Sequence, residues 1–242
     1  MAIYGKEFAA VYDEKWEFFA ATLWPFLAKQ VARRNPRART WLDLCCGNGA
    51  LLKHACSAGF EAVGVDLSPH QLAFARKNAP RAELLRADAR SLALGRQFDV
   101  ASCTFDSLNY ITNKRDLARV FANVRRHLNP GGVFLFDVNT PAGLAKLRGQ
   151  SAVVRSPRFT VIVEPKYDAS RRLDSLRITG FIKEGQRYRK FEEEHFQRGY
   201  PRAQLEEMLQ RAGFAGLREY DGYTLSRPKQ TSGRLIFVCH RK

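Results

Sequence analysis

In the stretch WLDLCCGNGALL, residues 41 to 52, an apolar run contains one acidic residue and is followed by two cysteines and a glycine-rich loop. Gly47 and Gly49 leave bare backbone amides, which a ligand can approach closely. A second acid, Asp66, ends the next apolar run in VGVDLS, where a carboxylate can accept hydrogen bonds from ribose hydroxyls. Asp43, the glycine loop and Asp66 together predict a binding site of the nucleotide type.

Two other phosphate-binding loops fit this stretch poorly. The dinucleotide fingerprint G-x-G-x-x-G requires a third glycine at the position of Leu52. A Walker loop requires Gly-Lys-Ser/Thr, and that tripeptide does not occur in this stretch. The pattern therefore disfavours a cofactor that is held by its pyrophosphate.

The neighbouring Cys45 and Cys46 raise the alternative of a metal or redox device. The chain has five cysteines and no C-x-x-C pair, so neither a disulfide framework nor a zinc site is indicated. Adjacent strand residues point to opposite faces and make a poor disulfide. We predict that both cysteines are small side chains that lead into the glycine loop, in a reducing compartment.

A second group of reactive side chains lies far along the chain, in FEEEHFQRGY. Strand alternation places Glu193, His195 and Gln197 on one face, so that a carboxylate can orient the imidazole. His195 is the first candidate for a general base or a substrate-binding residue. The alternative is a surface ion pair between a histidine and its acidic neighbours.

Five short, mostly apolar runs position the first group: TWLDLCC, AVGVDL, ELLRAD, DVASCTF and GVFLFDV. Strands that are buried on both faces of a parallel sheet have this composition. The segments between them predict helices, with Ser68 and Pro69 starting one and Gly59 ending another. The β-α-β-α order predicts an α/β, doubly wound fold. The sequence NPGG at 129–132 predicts a turn before the fifth strand.

The segments on either side of this core follow other patterns. Residues 5 to 33 have apolar side chains at helical spacing, which predicts helices that Pro25 divides or opens. After residue 150, three stretches of polar-apolar alternation predict antiparallel strands, and a helix and two closing strands follow. We expect one domain with four parts: N-terminal helices (1–38), a ligand-binding core (39–150), an antiparallel insert (151–200) and a closing helix with strands (201–242).

The chain of 242 residues has 40 Lys and Arg against 24 Asp and Glu, a formal charge of +16. Such a field attracts nucleic acid or anionic substrates, although the basic residues are scattered along the chain. The start lacks the pattern of a signal peptide, and the apolar stretches are too short for a membrane span. We expect a cytoplasmic protein without a membrane partner, and a nucleic-acid partner remains an alternative.

The motifs LDLCCGNG, GVDLS, RAD, FDSLNYI and LNPGGVFLFDV resemble, in order and spacing, those of class I S-adenosylmethionine-dependent methyltransferases. The match covers about residues 40 to 140. The whole chain resembles a bacterial small-molecule branch, which includes amino-sugar and glycine-type N-methyltransferases. This resemblance implies a Rossmann-like fold with a helical lid, an antiparallel insert and the cofactor S-adenosylmethionine, which becomes S-adenosylhomocysteine.

The resemblance also implies cofactor contacts for ten positions of this chain. They are Asp43, Cys45, Gly47 and Gly49 around the methionine portion, Asp66 at the ribose, Leu67, Asp88 and Ala89 on the adenine side, and Thr104 and Phe105 at the ammonium end. In the family, the position of Cys45 usually holds glycine or alanine.

On the acceptor side, the family's insert often carries Glu-x-His-x-Gln-Arg-x-Tyr, which this chain matches through Tyr200. The resemblance implies that Arg198 and Tyr200 contact the substrate. Tyr12 resembles lid tyrosines and is a catalytic candidate beside His195, with a partly buried helix tyrosine as the alternative.

Further candidates for substrate contacts are Asp106, Asn109 and Tyr110 in FDSLNYI, a segment that lacks the two prolines of the related Asn/Asp-Pro-Pro-Tyr/Phe motif. Metal-dependent O-methyltransferases of the catechol type use an adjacent Asp-Asn pair, which Val138 interrupts here. We therefore favour metal-independent methyl transfer to N or O of a small acceptor, and the charge suggests an anionic one. The alternatives are an RNA or ribosome-associated methyltransferase and a non-catalytic module that binds S-adenosylmethionine.

Overall fold

A computed structural model describes residues 4–242, and a sheet of seven strands forms the centre of the fold. The strands of the chain are β1 (Thr40–Leu44), β2 (Glu61–Asp66), β3 (Glu83–Arg86), β4 (Phe98–Cys103), β5 (Leu128–Asn139), β6 (Ala152–Arg155), β7 (Phe159–Asp168), β8 (Leu173–Glu184), β9 (Arg187–Arg198), β10 (Phe214–Asp221) and β11 (Arg234–Arg241). The central sheet has the order β10-β11-β5-β4-β1-β2-β3. Strands β1 to β5 pair in parallel, and β10 and β11 pair antiparallel, which confirms the predicted α/β fold.

Helices cover both faces of this sheet. They are α1 (Lys6–Trp16), α2 (Phe18–Arg34), α3 (Ala50–Ser57), α4 (Pro69–Asn78), α5 (Lys114–Arg126), α6 (Pro141–Lys146) and α7 (Arg202–Arg211). Apolar residues of α2, α3 and α4 form one core with the sheet, and those of α5 and α7 form the other. The strands are apolar on both faces because both faces are covered. Within residues 4–242, no helix combines the length and the apolar character that crossing a bilayer requires.

The two N-terminal helices divide at Glu17, and Pro25 lies inside α2. The prediction that Pro25 divides or opens a helix is therefore wrong. A proline inside a helix removes one backbone hydrogen bond and costs about 3 kcal/mol in isolation. Leu23 and Leu27 on either side of it are fully buried against the sheet, and this packing holds the helix together across the proline.

The NPGG segment is part of β5, so the turn predicted before that strand is a bulge within it. The register against β4 shifts between Phe98 and Val100. Gly131 has a φ of +74°, which favours glycine. The backbone of β4 lies so close to Gly132 that an added Cβ would come within 3.1 Å of the Phe98 carbonyl oxygen. The glycines thus allow the strand to bulge against its neighbour.

The insert, defined here as β6 to β9, forms a separate antiparallel sheet of four strands. Its three long strands confirm the predicted ones, whereas the four-residue β6 was not predicted. The face of the insert that turns toward the core carries Val161 and Ile178, which pack against Phe8 and Val11 of α1. We call residues 4–16 the lid, because they lie between the insert and the carboxyl edge of the central sheet.

Asp174 is a buried carboxylate on the same inner face of the insert. It has no exposed surface, and neither oxygen makes a hydrogen bond of normal geometry with the described residues. Burial raises the pKa of its carboxyl group to about 6. The unfolded chain releases this proton near pH 3.9, so the free energy of unfolding falls as the pH rises from about 4 to about 6.

Asp174→Asn should therefore become more stable relative to the parent as the pH rises. The difference in free energy of unfolding should shift by about 2 to 3 kcal/mol in favour of the variant between pH 4 and pH 7. Urea unfolding at a series of pH values measures it. Asp168→Asn is the control, because hydrogen bonds from Ser170 and Arg171 lower the pKa of that exposed carboxyl group. A pH-independent difference at Asp174 would contradict this prediction.

Candidate active site

The glycine loop follows β1 at the carboxyl edge of the sheet. Cys45, Gly47 and Gly49 have φ values of +54°, +53° and +77°. Positive φ strains any residue with a Cβ, so Cys45 carries a backbone strain that glycine would not have. Cys46 is buried, and all five cysteines of the chain are unpaired.

The two glycines of this loop differ in what they face. A Cβ on Gly49 would lie 2.9 Å from both Cα and Cβ of Ala75 in α4. A Cβ on Gly47 would meet only Oε1 of Gln71, at 4.0 Å. The loop is therefore packed against α4 at Gly49 and open at Gly47.

Asp66 ends β2 beside this loop, as the sequence predicts. One carboxylate oxygen accepts a hydrogen bond from the Gly47 amide at 2.9 Å, and the other accepts one from the Ser68 amide at 2.8 Å. Burial raises the pKa of Asp66, and these amides partly oppose that shift. Each oxygen keeps a further lone pair for a ribose hydroxyl. Leu67 next to it is 53% exposed, which leaves an apolar surface for a flat ring.

Asp43 lies at the base of the loop and is buried. It accepts a hydrogen bond of 2.6 Å from Oγ of Ser102, which in turn accepts one of 2.7 Å from the Trp41 indole. Burial raises the pKa of the Asp43 carboxyl group to about 7, while the Ser102 bond lowers it. A cationic amino group held above Asp43 would stabilise the ionised carboxylate.

Asp88 and Ala89 follow β3, on the side where the adenine contact is predicted. The Asp88 carboxylate accepts a bond from the Arg90 amide at 2.9 Å, which caps a short 3₁₀ turn over Ala89–Ser91. It also forms an ion pair of 2.6 Å with the Arg90 guanidinium, which lowers its pKa. The Ala89 carbonyl accepts a bond of 2.9 Å from Asn123. The adenine role of Asp88 stays a prediction.

Thr104 and Phe105 follow β4 at the same edge of the sheet. Thr104 is buried, and its carbonyl accepts a 2.7 Å bond from Ser107. Phe105 and Asp106 have consecutive positive φ values of +58° and +50°. Two strained residues in a row indicate a turn whose conformation is imposed by its surroundings. This turn directs the chain toward the insert.

The residues around the glycine loop fit an adenosine-containing ligand. The open space at Gly47 can take a backbone contact, the half-buried carboxylate of Asp66 can accept from ribose hydroxyls, and the exposed Leu67 side chain can pack on an apolar ring. Gln71 adds a buried amide oxygen without a partner in the described residues. Gly47, Asp66 and Leu67 were predicted from the sequence and Gln71 was not, and their contact with the cofactor stays a prediction.

His195 lies on β9 against Tyr4 and Phe8 of the lid, with 1% of its surface exposed. Its Nε2 donates to Glu193 at 2.7 Å, because a carboxylate only accepts. Nδ1 is then the acceptor and takes a bond of 3.3 Å from the Tyr110 hydroxyl. The Tyr4 hydroxyl lies 3.3 Å from that of Tyr110. The structure thus places His195 in a buried row rather than in a surface ion pair.

Glu193 also binds the lid. Its two oxygens accept bonds from the backbone amides of Tyr4 at 3.0 Å and Gly5 at 2.9 Å. An added Cβ on Gly5 would lie 2.9 Å from the carboxylate, so a larger residue would displace Glu193 from its present position. One carboxylate therefore holds both the start of the lid and the imidazole of His195. The sequence indicated the second contact and gave no signal for the first.

Three tyrosine side chains from the lid and from the segment after β4 lie next to one another beside His195. Burial raises the pKa of Tyr4, Tyr12 and Tyr110, and the nearby Asp106 carboxylate adds to the shift. Their hydroxyls stay protonated at physiological pH and act as hydrogen-bond donors. The Tyr12 ring packs against Tyr4 at 5.3 Å and against Trp16 at 5.5 Å, which places this predicted catalytic residue in the lid.

Asp106, Asp137 and Arg234 form an ion network next to these tyrosines. The Arg234 guanidinium binds Asp106 at 2.6 Å and also binds Asp137. The second oxygen of Asp106 accepts a bond of 2.6 Å from Gln197, and Tyr223 donates to Asp137 at 3.3 Å. Both carboxylates thus bind the same arginine. Sequence reasoning missed Arg234, which lies 128 residues from Asp106.

Asn109, Arg198 and Tyr200 join the insert to the core in the structure. The Asn109 amide donates to the carbonyls of Asn139 and Arg198, at 2.9 and 2.8 Å. The Arg198 guanidinium donates to the Thr112 carbonyl at 2.6 Å, and the buried Tyr200 hydroxyl donates to a carbonyl of the same segment. These contacts orient β9, and direct contact of the three side chains with a substrate stays a prediction.

The lid is also tied to the glycine loop. Asp13 accepts bonds from the amide groups of Asn48 at 2.9 Å and Asn78 at 2.8 Å. Glu17, just after the lid, pairs with Lys53 of α3 at 3.1 Å. Because Asn48 lies between the two loop glycines, the position of the lid and the shape of the cofactor loop are linked.

A glycine loop with an acid after β2, a lid over it and a seven-stranded sheet ending in an antiparallel pair define the class of S-adenosylmethionine-dependent methyltransferases. Residues 42–132 match the family model of the methyltransferase domain. Over 239 residues the chain is 32% identical to the putative methyltransferase YqeM of Bacillus subtilis (strain 168), covering 97% of this chain and 96% of that protein. The chain belongs to the methyltransferase family, and its cofactor is S-adenosylmethionine.

Two further comparisons place the chain within this family. A crystal structure of an S-adenosylmethionine-dependent methyltransferase from Clostridium acetobutylicum matches with a TM-score of 0.87 and 27% identity, over 97% of this chain and 98% of that one. The dTDP-3-amino-3,4,6-trideoxy-alpha-D-glucopyranose N,N-dimethyltransferase of Streptomyces venezuelae is 35% identical over 111 residues, 46% of this chain and 47% of that protein. The similarity to the second protein spans about half of each chain.

Asp66→Asn should weaken cofactor binding by about 1.5 to 3 kcal/mol, because hydrogen bonds from ribose to a charged acceptor are lost. The asparagine oxygen can still accept from one of the two loop amides, so the fold is retained. Calorimetric titration with S-adenosylhomocysteine measures the affinity. Asp221→Asn, at the end of β10, is a control of equal charge change. Unchanged affinity in Asp66→Asn would remove this residue from the ribose site.

Proposed function

We propose that this protein transfers the methyl group of S-adenosylmethionine to an amine of a small polar acceptor, without a metal, in the cytoplasm. The observation that carries the proposal is the buried row of Glu193, His195 and Tyr110. Tyr4 connects this row to the cofactor side, because its hydroxyl lies 3.3 Å from that of Tyr110 and its carbonyl accepts a bond of 2.8 Å from Ser68, two residues after Asp66. The row supplies the proton acceptor of the proposed reaction.

S-adenosylmethionine supplies an electrophilic methyl group on a sulfonium. The lone pair of the acceptor amine forms the new N–C bond as the S–C bond breaks, so the positive charge moves from sulfur to nitrogen. Nδ1 of His195 then takes the surplus N–H proton, directly or through the Tyr110 hydroxyl. Glu193 keeps the other ring proton on Nε2 and stabilises the imidazolium that forms.

The lid contributes by excluding water and fixing the geometry. Alignment of two reactants in a closed site is worth about 7 to 11 kcal/mol, and a general base adds about 10²- to 10⁴-fold in rate. Tyr4, Tyr12 and Tyr110 offer neutral hydroxyls that can hold the polar groups of an acceptor. The free lone pairs of Asp106 can hold an N–H group.

The charges near His195 and Tyr110 indicate which charge of acceptor the site favours. The carboxylates of Asp106, Asp137 and Glu193 lie in this part of the structure with one guanidinium, that of Arg234. Three carboxylates against one cation favour a neutral or protonated amine over an anionic group. The amino-sugar acceptor in the name of the Streptomyces venezuelae relative supports an amine, and an RNA acceptor and a non-catalytic module are not favoured. The five unpaired cysteines support a reducing cytoplasm.

The test is transfer of labelled methyl from S-adenosylmethionine, with the purified chain supplied separately with a metabolite extract and with bulk RNA of its source. Label in a small amine supports the proposal, and mass analysis then identifies the acceptor. Label in RNA, or transfer to an oxygen atom, would overturn it. His195→Ala should bind S-adenosylhomocysteine as the parent does and transfer the label more slowly.

A further inference from the structure

A polar pocket of about 250 Å³ lies outside the active site, between the turn that joins β7 to β8 and the starts of α5 and α7. Its lining includes the cations of Lys114, Arg171, Arg172 and Arg198, together with the neutral side chains of Ser170 and Gln204. Drug-sized ligands occupy about 300 to 1,000 Å³, so this pocket suits a smaller ligand.

The four cations of this pocket are not neutralised by the residues around them. Among residues 4–242, Lys114, Arg171 and Arg172 form no salt bridge, and Arg198 donates to the carbonyls of Thr112 and Arg171. No acidic side chain lines the pocket. Like charges gathered in one pocket repel each other, and a bound anion removes that cost.

Asp168, the acidic residue of this turn, binds backbone amides of the turn. Its Oδ1 accepts bonds from the backbone amides of Ser170 at 2.9 Å and Arg171 at 3.1 Å, which shapes the turn. Arg172 follows with a φ of +53°, so an arginine stands where glycine or asparagine would be less strained. The turn therefore exposes Arg171 and Arg172, although the positive φ of Arg172 strains the backbone.

The α7 helix adds neutral donors at the same place. It begins at Arg202 after Pro201, and no side chain of the described residues caps it. Pro201, Gly199 and Gln204 line the pocket, so the first turn of this ten-residue helix faces it. The Gln204 backbone amide donates to the Pro201 carbonyl at 3.0 Å, so the donor that α7 offers the pocket is the Gln204 side-chain amide. It lies beside guanidinium groups, which bind phosphate in a bidentate manner.

We propose that this pocket binds a phosphate or diphosphate group of a small molecule, at a site separate from the methyl-transfer cavity. Gln197 of β9 points into that cavity and binds Asp106, whereas the next residue, Arg198, lines the pocket on the other side of the strand. The site joins the insert to α5 and α7, so its ligand stabilises the attachment of the insert. The inference is independent of the proposed amine acceptor.

The experiment measures the Tm of the full chain, saturated with S-adenosylhomocysteine, after adding pyrophosphate, inorganic phosphate, a nucleoside diphosphate or an RNA oligomer. Sodium chloride at equal ionic strength is the reference. At roughly a hundred times Kd, a phosphate ligand should raise the Tm by about 5 to 10 °C. The inorganic and nucleotide arms distinguish a free phosphate from a phosphate carried by a larger metabolite.

The variant for this site is Lys114→Gln with Arg172→Gln, two exposed changes that leave the cofactor cavity untouched. It should lose most of the Tm gain and keep the parent's affinity for S-adenosylhomocysteine. Arg155→Gln with Arg187→Gln removes the same charge from exposed positions of the insert and should keep the gain. The inference fails if no phosphate compound exceeds chloride, if the pocket variant keeps the gain, or if only RNA stabilises the chain.

Discussion

Gly49→Ala should abolish measurable cofactor binding and lower the free energy of unfolding by about 2 to 5 kcal/mol. Two effects add at this position. A φ of +77° costs a residue with a Cβ about 1 to 2 kcal/mol. The new methyl group would also lie 2.9 Å from Cα and Cβ of Ala75, and such overpacking costs about 1 to 3 kcal/mol. The loop can relieve the clash only by moving away from α4, which opens the cofactor site.

Gly59→Ala is the matched control, because it isolates the backbone effect. Gly59 has a φ of +89° after α3, and nothing lies within 4 Å of an added Cβ. Its substitution should cost about 1 to 2 kcal/mol and leave cofactor affinity unchanged. Urea unfolding and titration with S-adenosylhomocysteine measure both variants. Equal effects of the two substitutions would show that Gly49 matters only for its φ angle, not for its approach to Ala75.

The features that the sequence predicts correctly are those fixed by neighbours along the chain. Ser68 accepts a bond from the Gln71 amide and starts α4 with Pro69, as the local pattern requires. Gly59 has positive φ after α3 for the same reason. The parallel strands are recognisable because burial on both faces makes them apolar throughout, and the acid and glycines of the cofactor loop lie next to their ends.

The features that the sequence does not predict depend on contacts between distant segments. Arg234 reaches Asp106 and Asp137 only because β11 inserts beside β5. Nothing in the pattern around Arg234 distinguishes it from the many other arginines of this basic chain. Pro25 fails as a helix boundary for the same reason, since tertiary packing of its neighbours outweighs its local preference.

The type of a residue also does not predict which partners its side chain will contact. Asn109 and Tyr200 are polar residues in motifs next to the cavity, yet their side chains bind backbone carbonyls that attach the insert. His195 and Glu193 are equally polar, yet they bind each other and the lid. Alternation along β9 predicts which of them share a face, but only the packed lid decides which face is enclosed.

Glu193→Gln should release the lid and slow methyl transfer together, because one carboxylate serves both. It accepts from the amides of Tyr4 and Gly5 and from Nε2 of His195. An amide has a single acceptor oxygen without charge, so at least one charge-assisted bond of about 1.5 to 3 kcal/mol is lost. We expect kcat to fall about 10- to 150-fold with little change in KM for the acceptor.

Two measurements detect this coupling before an acceptor is known. Amide hydrogen exchange over residues 4–16 should become faster in Glu193→Gln, and the nitrogen shifts of His195 should show loss of the single tautomer with Nε2 protonated. Glu194→Gln removes the same charge from the exposed face of β9 and should change neither. If the lid exchanges faster in Glu193→Gln while His195 keeps its tautomer, the lid and the imidazole are not coupled through this carboxylate.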